Sequence, residues 1–198
     1  QLQDAIGTLR LLITDTRAIS TGHAALGTYH TLLGRAHEAV GDSPNAAAGY
    51  VAALDAGSVI SPYLNLWLGN YYIALNQPIS AVVPYQNSVD AAPSTSTEFE
   101  RREKLALALQ LSQQPQSALA QYDAILARAQ FITYRARILW ESAQVLQASG
   151  QAGPAYARMQ DLVANYEATP HALLALQALL NAAQPVDELQ RGKVNFHN

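Results

Sequence analysis

The chain has 198 residues, 49% of them apolar and only 14% charged, with 36 alanines and 27 leucines, a composition that favours a large helical core. Twelve basic residues against fifteen acidic ones give a net charge of −3 without a basic block, which argues against a nucleic-acid-binding surface, whose affinity rests on neutralising phosphates. The lack of cysteine excludes disulfides, thiolate metal sites and cysteine nucleophiles, and leaves the compartment open.

Apolar positions at helical spacing, with breakers between them, predict helices over 2–17, 20–40, 44–56, 61–76, 79–91, 97–112, 115–129, 131–148, 152–166, 170–182 and 186–197. Residues 1–17 read as the second helix of a partial hairpin, with Ala5, Leu9 and Leu12 at its packing offsets. In the next helix His23, His30 and His37 recur every seven residues. At ~1.5 Å rise per residue, neighbouring pairs lie about 10 Å apart, too far to share a metal ion. His30 and His37 are expected to be half-buried packing residues. No His-Glu-x-x-His motif, glycine-rich phosphate loop or Gly-x-Ser-x-Gly elbow occurs, so neither a metal nor a cofactor is expected.

The pair Ala-x-x-x-Tyr stands at Ala46/Tyr50, Ala81/Tyr85, Ala118/Tyr122 and Ala152/Tyr156, at anchor spacings of 35, 37 and 34. Composition alone gives about two such pairs in the whole chain. Thirteen residues before each anchor stand Leu33, Leu68, Leu105 and Leu139. The following position carries Gly34, Gly69, Ala106 and Trp140, and seven after each anchor come Ala53, Ser88, Ile125 and Met159. The phase reads as helical hairpins at about 20–56, 61–91, 97–129 and 131–166, with terminal helices over 170–197. The small residue of each first helix and the anchor alanine of the second let two backbones approach closely, and the tyrosine fills the gap to the next hairpin. A single hairpin cannot bury its own apolar face, so the expected fold is one all-α solenoid over 1–198. Pro154 falls in a first helical turn, whereas Pro84 is expected to kink or delay its helix.

Residues 56–89 carry no charge. Their most apolar part, Val59 to Leu75, is 17 residues long and contains Pro62, Asn65, Gly69 and Asn70. A membrane-spanning helix needs about 20 predominantly apolar residues, so no span is expected. Within this stretch Tyr63, Trp67 and Tyr71 line one helical stripe, opposite Leu64, Leu68 and Tyr72, and offer contact area for an apolar peptide or a sugar face. The mixed cluster Glu98, Glu100, Arg101, Arg102, Glu103, Lys104 reads as a solvated helix start, with Glu100/Lys104 spaced for an i,i+4 pair.

Leu68-Gly69-x-x-Tyr72, Ala81, Tyr85 and Pro93 resemble the packing residues of the tetratricopeptide repeat family, and the resemblance covers roughly 30–166. The chain departs from the family pattern with histidines at two large-residue positions of the first unit and Trp140 at a small-residue position of the fourth. The resemblance implies a right-handed superhelix whose first helices line a concave groove. On that surface it places Tyr63 and Trp67, with Arg35, Asn70, Glu103, Tyr134, Arg137 and Glu141. It implies a non-catalytic binding or scaffolding module for a protein or peptide, without the paired lysines and asparagines of chaperone-tail-binding repeats.

A second resemblance concerns the end of the chain. Alanine-rich hairpins followed by Val186-Asp187-x-x-Gln190-Arg191-Gly192-x-Val194-x-Phe196 look like the superhelical region of soluble lytic transglycosylases. That would imply a peptidoglycan glycan partner, a periplasmic or exported location and a catalytic domain downstream. Without it, a cytoplasmic location is expected. Gln1, not being an initiator methionine, points to a processed or truncated chain. Glu141-Ser142 is similar to the Glu-Ser motif of the transglycosylase catalytic domain. Its spacing to the following glycines is wrong, however, and the fourth repeat accounts for the same residues, so a structural role is expected.

Overall fold

Eleven α-helices and no strand make up the described residues, 1–18 and 23–197, of a computed structural model. They are α1 (Leu2–Ala18), α2 (His23–Ala39), α3 (Ser43–Asp55), α4 (Ser61–Ala74), α5 (Pro78–Asp90), α6 (Thr95–Leu111), α7 (Pro115–Leu126), α8 (Ile132–Ala148), α9 (Ala152–Asn165), α10 (Pro170–Asn181) and α11 (Glu188–His197). The predicted helices coincide with them to within a few residues, apart from positions 20–22, which lie outside the described residues. Successive helices pack as hairpins, α2 on α3, α4 on α5 and α8 on α9. The chain forms two compact units, Gln1–Ala108 and Leu109–Asn198.

One turn closes hairpin after hairpin. Gly41 (φ 74°), Asn76 (56°), Gln113 (59°), Gly150 (78°) and Ala183 (52°) all take the left-handed conformation just after a first helix. Each is locked by the same two bonds. In the α4–α5 turn Gln77 N–H donates to Tyr72 O and Asn76 N–H to Ile73 O. In the α10–α11 turn Gln184 N–H donates to Leu179 O and Ala183 N–H to Leu180 O. This pairing satisfies carbonyls that a helix end would otherwise leave open.

Inside the hairpins the predicted close approach is present. A Cβ on Gly34 would stand 2.8 Å from the Tyr50 ring, and one on Gly69 2.5 Å from the Tyr85 ring. Real atoms do not approach so closely, so an alanine at either position would force its ring to shift. Ala46, Ala81 and Ala118 are fully buried, and Tyr50, Tyr85 and Tyr122 are 1%, 3% and 4% exposed. His30 and His37 are buried as packing residues, while the side chain of His23 lies outside the described residues.

The fourth unit departs from the expected phase. Ala152 is exposed and Tyr156 only half-buried, while Ala155 and Met159 are fully buried. The true anchor is therefore Ala155, three residues further on. Ala152 is the first residue of α9, as Pro78 is of α5 and Pro115 of α7, so the inward-facing position falls at Ala155 just as it falls at Ala81 and Ala118. The position twelve residues earlier is then Ala143, fully buried, which matches Gly34, Gly69 and Ala106. Trp140 leaves the small-residue position and packs half-buried against the α8–α10 core.

Three further expectations are corrected. In α1 Ala5 and Leu12 are exposed and Leu9 is half-buried, while Ile6 and Ile13, one heptad apart, are buried on the helix that packs against α2. Pro84 does not delay α5, which begins at Pro78 and runs through it to Asp90 with Pro84 buried. Arg101 is no part of a solvated helix start, because it is 1% exposed. Arg102 pairs with Glu98 at 2.8 Å, and no Glu100/Lys104 pair forms among the described residues.

Two stability tests follow from this packing. Tyr122→Ala should cost about 3 kcal/mol in urea unfolding, the order for losing a buried aromatic, and Tyr156→Ala under about 1 kcal/mol. Equal losses would contradict the shifted register. Ala183→Gly should stabilise by about 1 kcal/mol, since a left-handed alanine carries a Cβ clash that glycine lacks. A melting temperature that stays level or falls would count against the turn.

Candidate functional site

The hairpin α4–α5, uncharged as far as Val89, presents its aromatic stripe between two arginines. Tyr63, in the first turn of α4, is 49% exposed. Trp67, one turn on, is half-buried against the α3–α4 core, its ring centroid 6.0 Å from that of Tyr50. Tyr71 packs against the same core. The Arg35 guanidinium of α2 stands 5.2 Å from the Trp67 ring centroid, and that of Arg101 in α6 stands 5.6 Å from the Tyr63 centroid. Cations over aromatic faces attract the ring quadrupole.

Hydrogen bonds from two buried tyrosines meet side chains of the first helices. Arg35 lies 3.6 Å from Glu38, and the Tyr50 hydroxyl donates to the same carboxylate at 2.8 Å. Burial first, and then the Glu38 bond, raise the Tyr50 phenol well above its ordinary range. The Tyr85 hydroxyl donates to Asn70 Oδ1 at 2.9 Å, and burial pushes that phenol up to about 12. Tyr50 and Tyr85 therefore remain protonated donors. Arg35 meets Trp67 and Arg101 meets Tyr63 in the first unit, while Asn70 is exposed on α4 and Glu103 half-buried on α6.

Tyr134, Arg137 and Glu141 form a separate group in the second unit. Successive turns of α8 place the Arg137 guanidinium 5.0 Å from the Tyr134 centroid, and its Nη1 donates to Glu141 at 2.7 Å. Ser142 is fully buried with its hydroxyl bonded to Leu139 O, so it cannot share a reaction site with Glu141. His171 of α10, which carries no signal in the sequence, interacts electrostatically with this pair. Among the described residues no cluster of three His, Asp or Glu side chains could hold a metal ion, and no helix is long and apolar enough to cross a membrane. The surface offers aromatic faces, guanidinium groups and amides.

No protein-family model and no curated relative matches the sequence. Solved structures do. YrrB, described as a TPR protein with an unusual peptide-binding site, is 18% identical, with 89% of this chain and 86% of that one covered at a TM-score of 0.56. A Podosopora anserina protein of nearly identical TPR-like repeats is also 18% identical, with 94% and 90% covered at 0.59. BtubC from P. vanneervenii is 14% identical, with 94% and 77% covered at 0.56. The fold is that of the tetratricopeptide repeat.

The TPR phase now identifies what the charge pattern concealed. Seventeen residues before the anchors Ala81, Ala118 and Ala155 stand Leu64, Arg101 and Ile138, at 0%, 1% and 0% exposure. Arg101 thus occupies a core position of its TPR unit. The TPR likenesses give no support to the transglycosylase resemblance of the C-terminal stretch. In that stretch Asp187 caps α11 through the Leu189 and Gln190 N–H groups, Val194 is buried and Phe196 is exposed.

Burial lowers the His171 pKa below its ordinary 6.5; Arg137 lowers it further, while Glu141 opposes the shift. The unfolded chain then binds the proton more readily than the folded one. The contribution is complete above pH 6.5 and is lost as the pH falls below it. Thermal melting of the wild type should decline from pH 6.5 downward more steeply than that of His171→Ala. Parallel curves would show that His171 titrates alike in both states.

Proposed function

We propose that the chain is a non-catalytic TPR module that binds a peptide or protein segment through the first-helix faces of its units. Tyr63, Trp67, Asn70, Arg35 and Glu103 provide the contacts of the first unit, and Tyr134, Arg137 and Glu141 those of the second. The observation that carries the reading is the stripe on α4. A half-exposed tyrosine and a half-buried tryptophan stand one turn apart on a charge-free helix, each beside a cation. Aromatic anchors of this kind dominate the energetics of recognition surfaces. The fold itself supports the reading, since YrrB is described as a TPR protein with a peptide-binding site.

Tryptophan emission gives a direct test once Trp140→Phe removes the second indole. Titration with an unbiased peptide library should shift or quench Trp67 emission for a subset of peptides. Tyr63→Ala should weaken those peptides by about tenfold, the scale of a moderate hot spot. Binding that leaves Trp67 emission unchanged and survives Tyr63→Ala would move the site elsewhere. An indole that a soluble quencher cannot reach in the free protein would overturn the role of Trp67.

A further inference from the structure

Arg101 is a permanent cation placed where the neighbouring units carry Leu64 and Ile138. Its Nη1 donates to Ser88 O at 2.6 Å, and its guanidinium lies beside the Tyr63 ring. Its Nε and Nη2 are buried and have no hydrogen-bond partner among the described residues, and neither has the hydroxyl of Ser88. Nor does an acid reach it. The hairpin α4–α5 carries no charge between residues 56 and 89, and on α6 itself Glu98 is held by Arg102. Arg135 of the second unit shows the ordinary alternative. It bonds through Nε to the Tyr166 hydroxyl and through Nη1 to Leu126 O and Ala129 O.

The two orphaned donors are the informative pair. The N–H groups of Nε and Nη2 lie on one edge of the guanidinium and run parallel, at the spacing of the two oxygens of a carboxylate. An unpaired buried charge is costly, and a paired one much less so. We infer that Arg101, with Ser88 beside it and Tyr63 as its movable cover, forms a carboxylate-binding site in the first unit. Tyr63 is half exposed on the first turn of α4, and side chains of that exposure change rotamer in nanoseconds or less. The carboxylate comes either from an acidic residue of a bound peptide or from a free anion. Only the first source rests on the peptide-binding reading.

Two arms separate these sources. In the first, the melting temperature is followed in formate and in chloride at equal ionic strength. Wild type should show an extra rise in formate that Arg101→Met abolishes, Arg101→Lys largely loses for want of the fork, and Arg191→Met, on the exposed terminal helix, retains. Should Arg101→Met not fold, Arg101→Lys and Tyr63→Ala carry the arm, the latter keeping the formate effect. In the second arm, acidic library peptides are compared with their Asn or Gln counterparts. The amide forms should bind wild type about tenfold more weakly and Arg101→Lys with no such difference. A formate effect without any peptide binding would keep the site and remove the peptide reading. Peptide binding indifferent to the amide exchange, together with equal formate and chloride curves, would overturn the site and leave that reading intact.

Discussion

The contact on which the first two hairpins depend is a ring laid against bare backbone. Tyr50 lies on Gly34 and Tyr85 on Gly69, at distances that admit no Cβ. That contact fixes how near the two helices of a hairpin stand, and Gly49 in turn meets the Gly34 backbone where a Cβ would be 2.7 Å away. The hydroxyls of the same rings donate to Glu38 and Asn70, two exposed residues of the first helices. Packing and surface chemistry are thus joined through single side chains. Where Met159 replaces the ring, Ala143 replaces the glycine, and the side chain has no hydroxyl to bond an exposed residue of the first helix. The face of that unit is organised instead by Arg137, which bonds along its own helix to Glu141.

The helices were legible in the sequence because three signals coincided: apolar spacing, proline at the first helical turn and a left-handed residue before it. Gly41 and Gly150 announce that residue. Asn76, Gln113 and Ala183 do not, since their conformation is imposed by the paired bonds that close the turn rather than by their own preference. The anchors were legible in three units and misleading in the fourth. In a chain with 36 alanines, Ala152 falls four before Tyr156 without packing significance, and the working pair, Ala155 and Met159, lacks the aromatic that marks the others. Only the start of α9, which sets the inward direction, distinguishes the two phases.

Charge was the poorer guide to the site. Arg101 sits in the stretch 98–104, where six of the seven residues are charged, and such runs are usually solvated. Its offset from Ala118 places it with Leu64 and Ile138, and that periodic argument outweighs composition, because position on the helix decides burial. Tyr63 and Trp67 were visible as a stripe. What the sequence did not show is that each lies beside an arginine from a neighbouring first helix, since the pairing spans 32 residues from Arg35 to Trp67 and 38 from Tyr63 to Arg101.

These two arginines differ in how firmly they hold their rings. Arg35 is about half exposed, and its ion pair with Glu38, at 3.6 Å, is of the kind that contributes about 1 kcal/mol or less. A ligand group stacking on Trp67 in its place would displace little. Arg101 is buried and bonded to the main chain at Ser88, so in the inferred carboxylate site it stays while the half-exposed Tyr63 moves. On one helix, then, the tryptophan is the fixed ring with a movable cation, and the tyrosine the movable ring over a fixed cation. A segment lying along α4 would meet an apolar face at Trp67 and a buried charge at Tyr63. Under the proposed function, that alternation of an apolar and an acidic requirement, one helical turn apart, is the recognition pattern of the first unit.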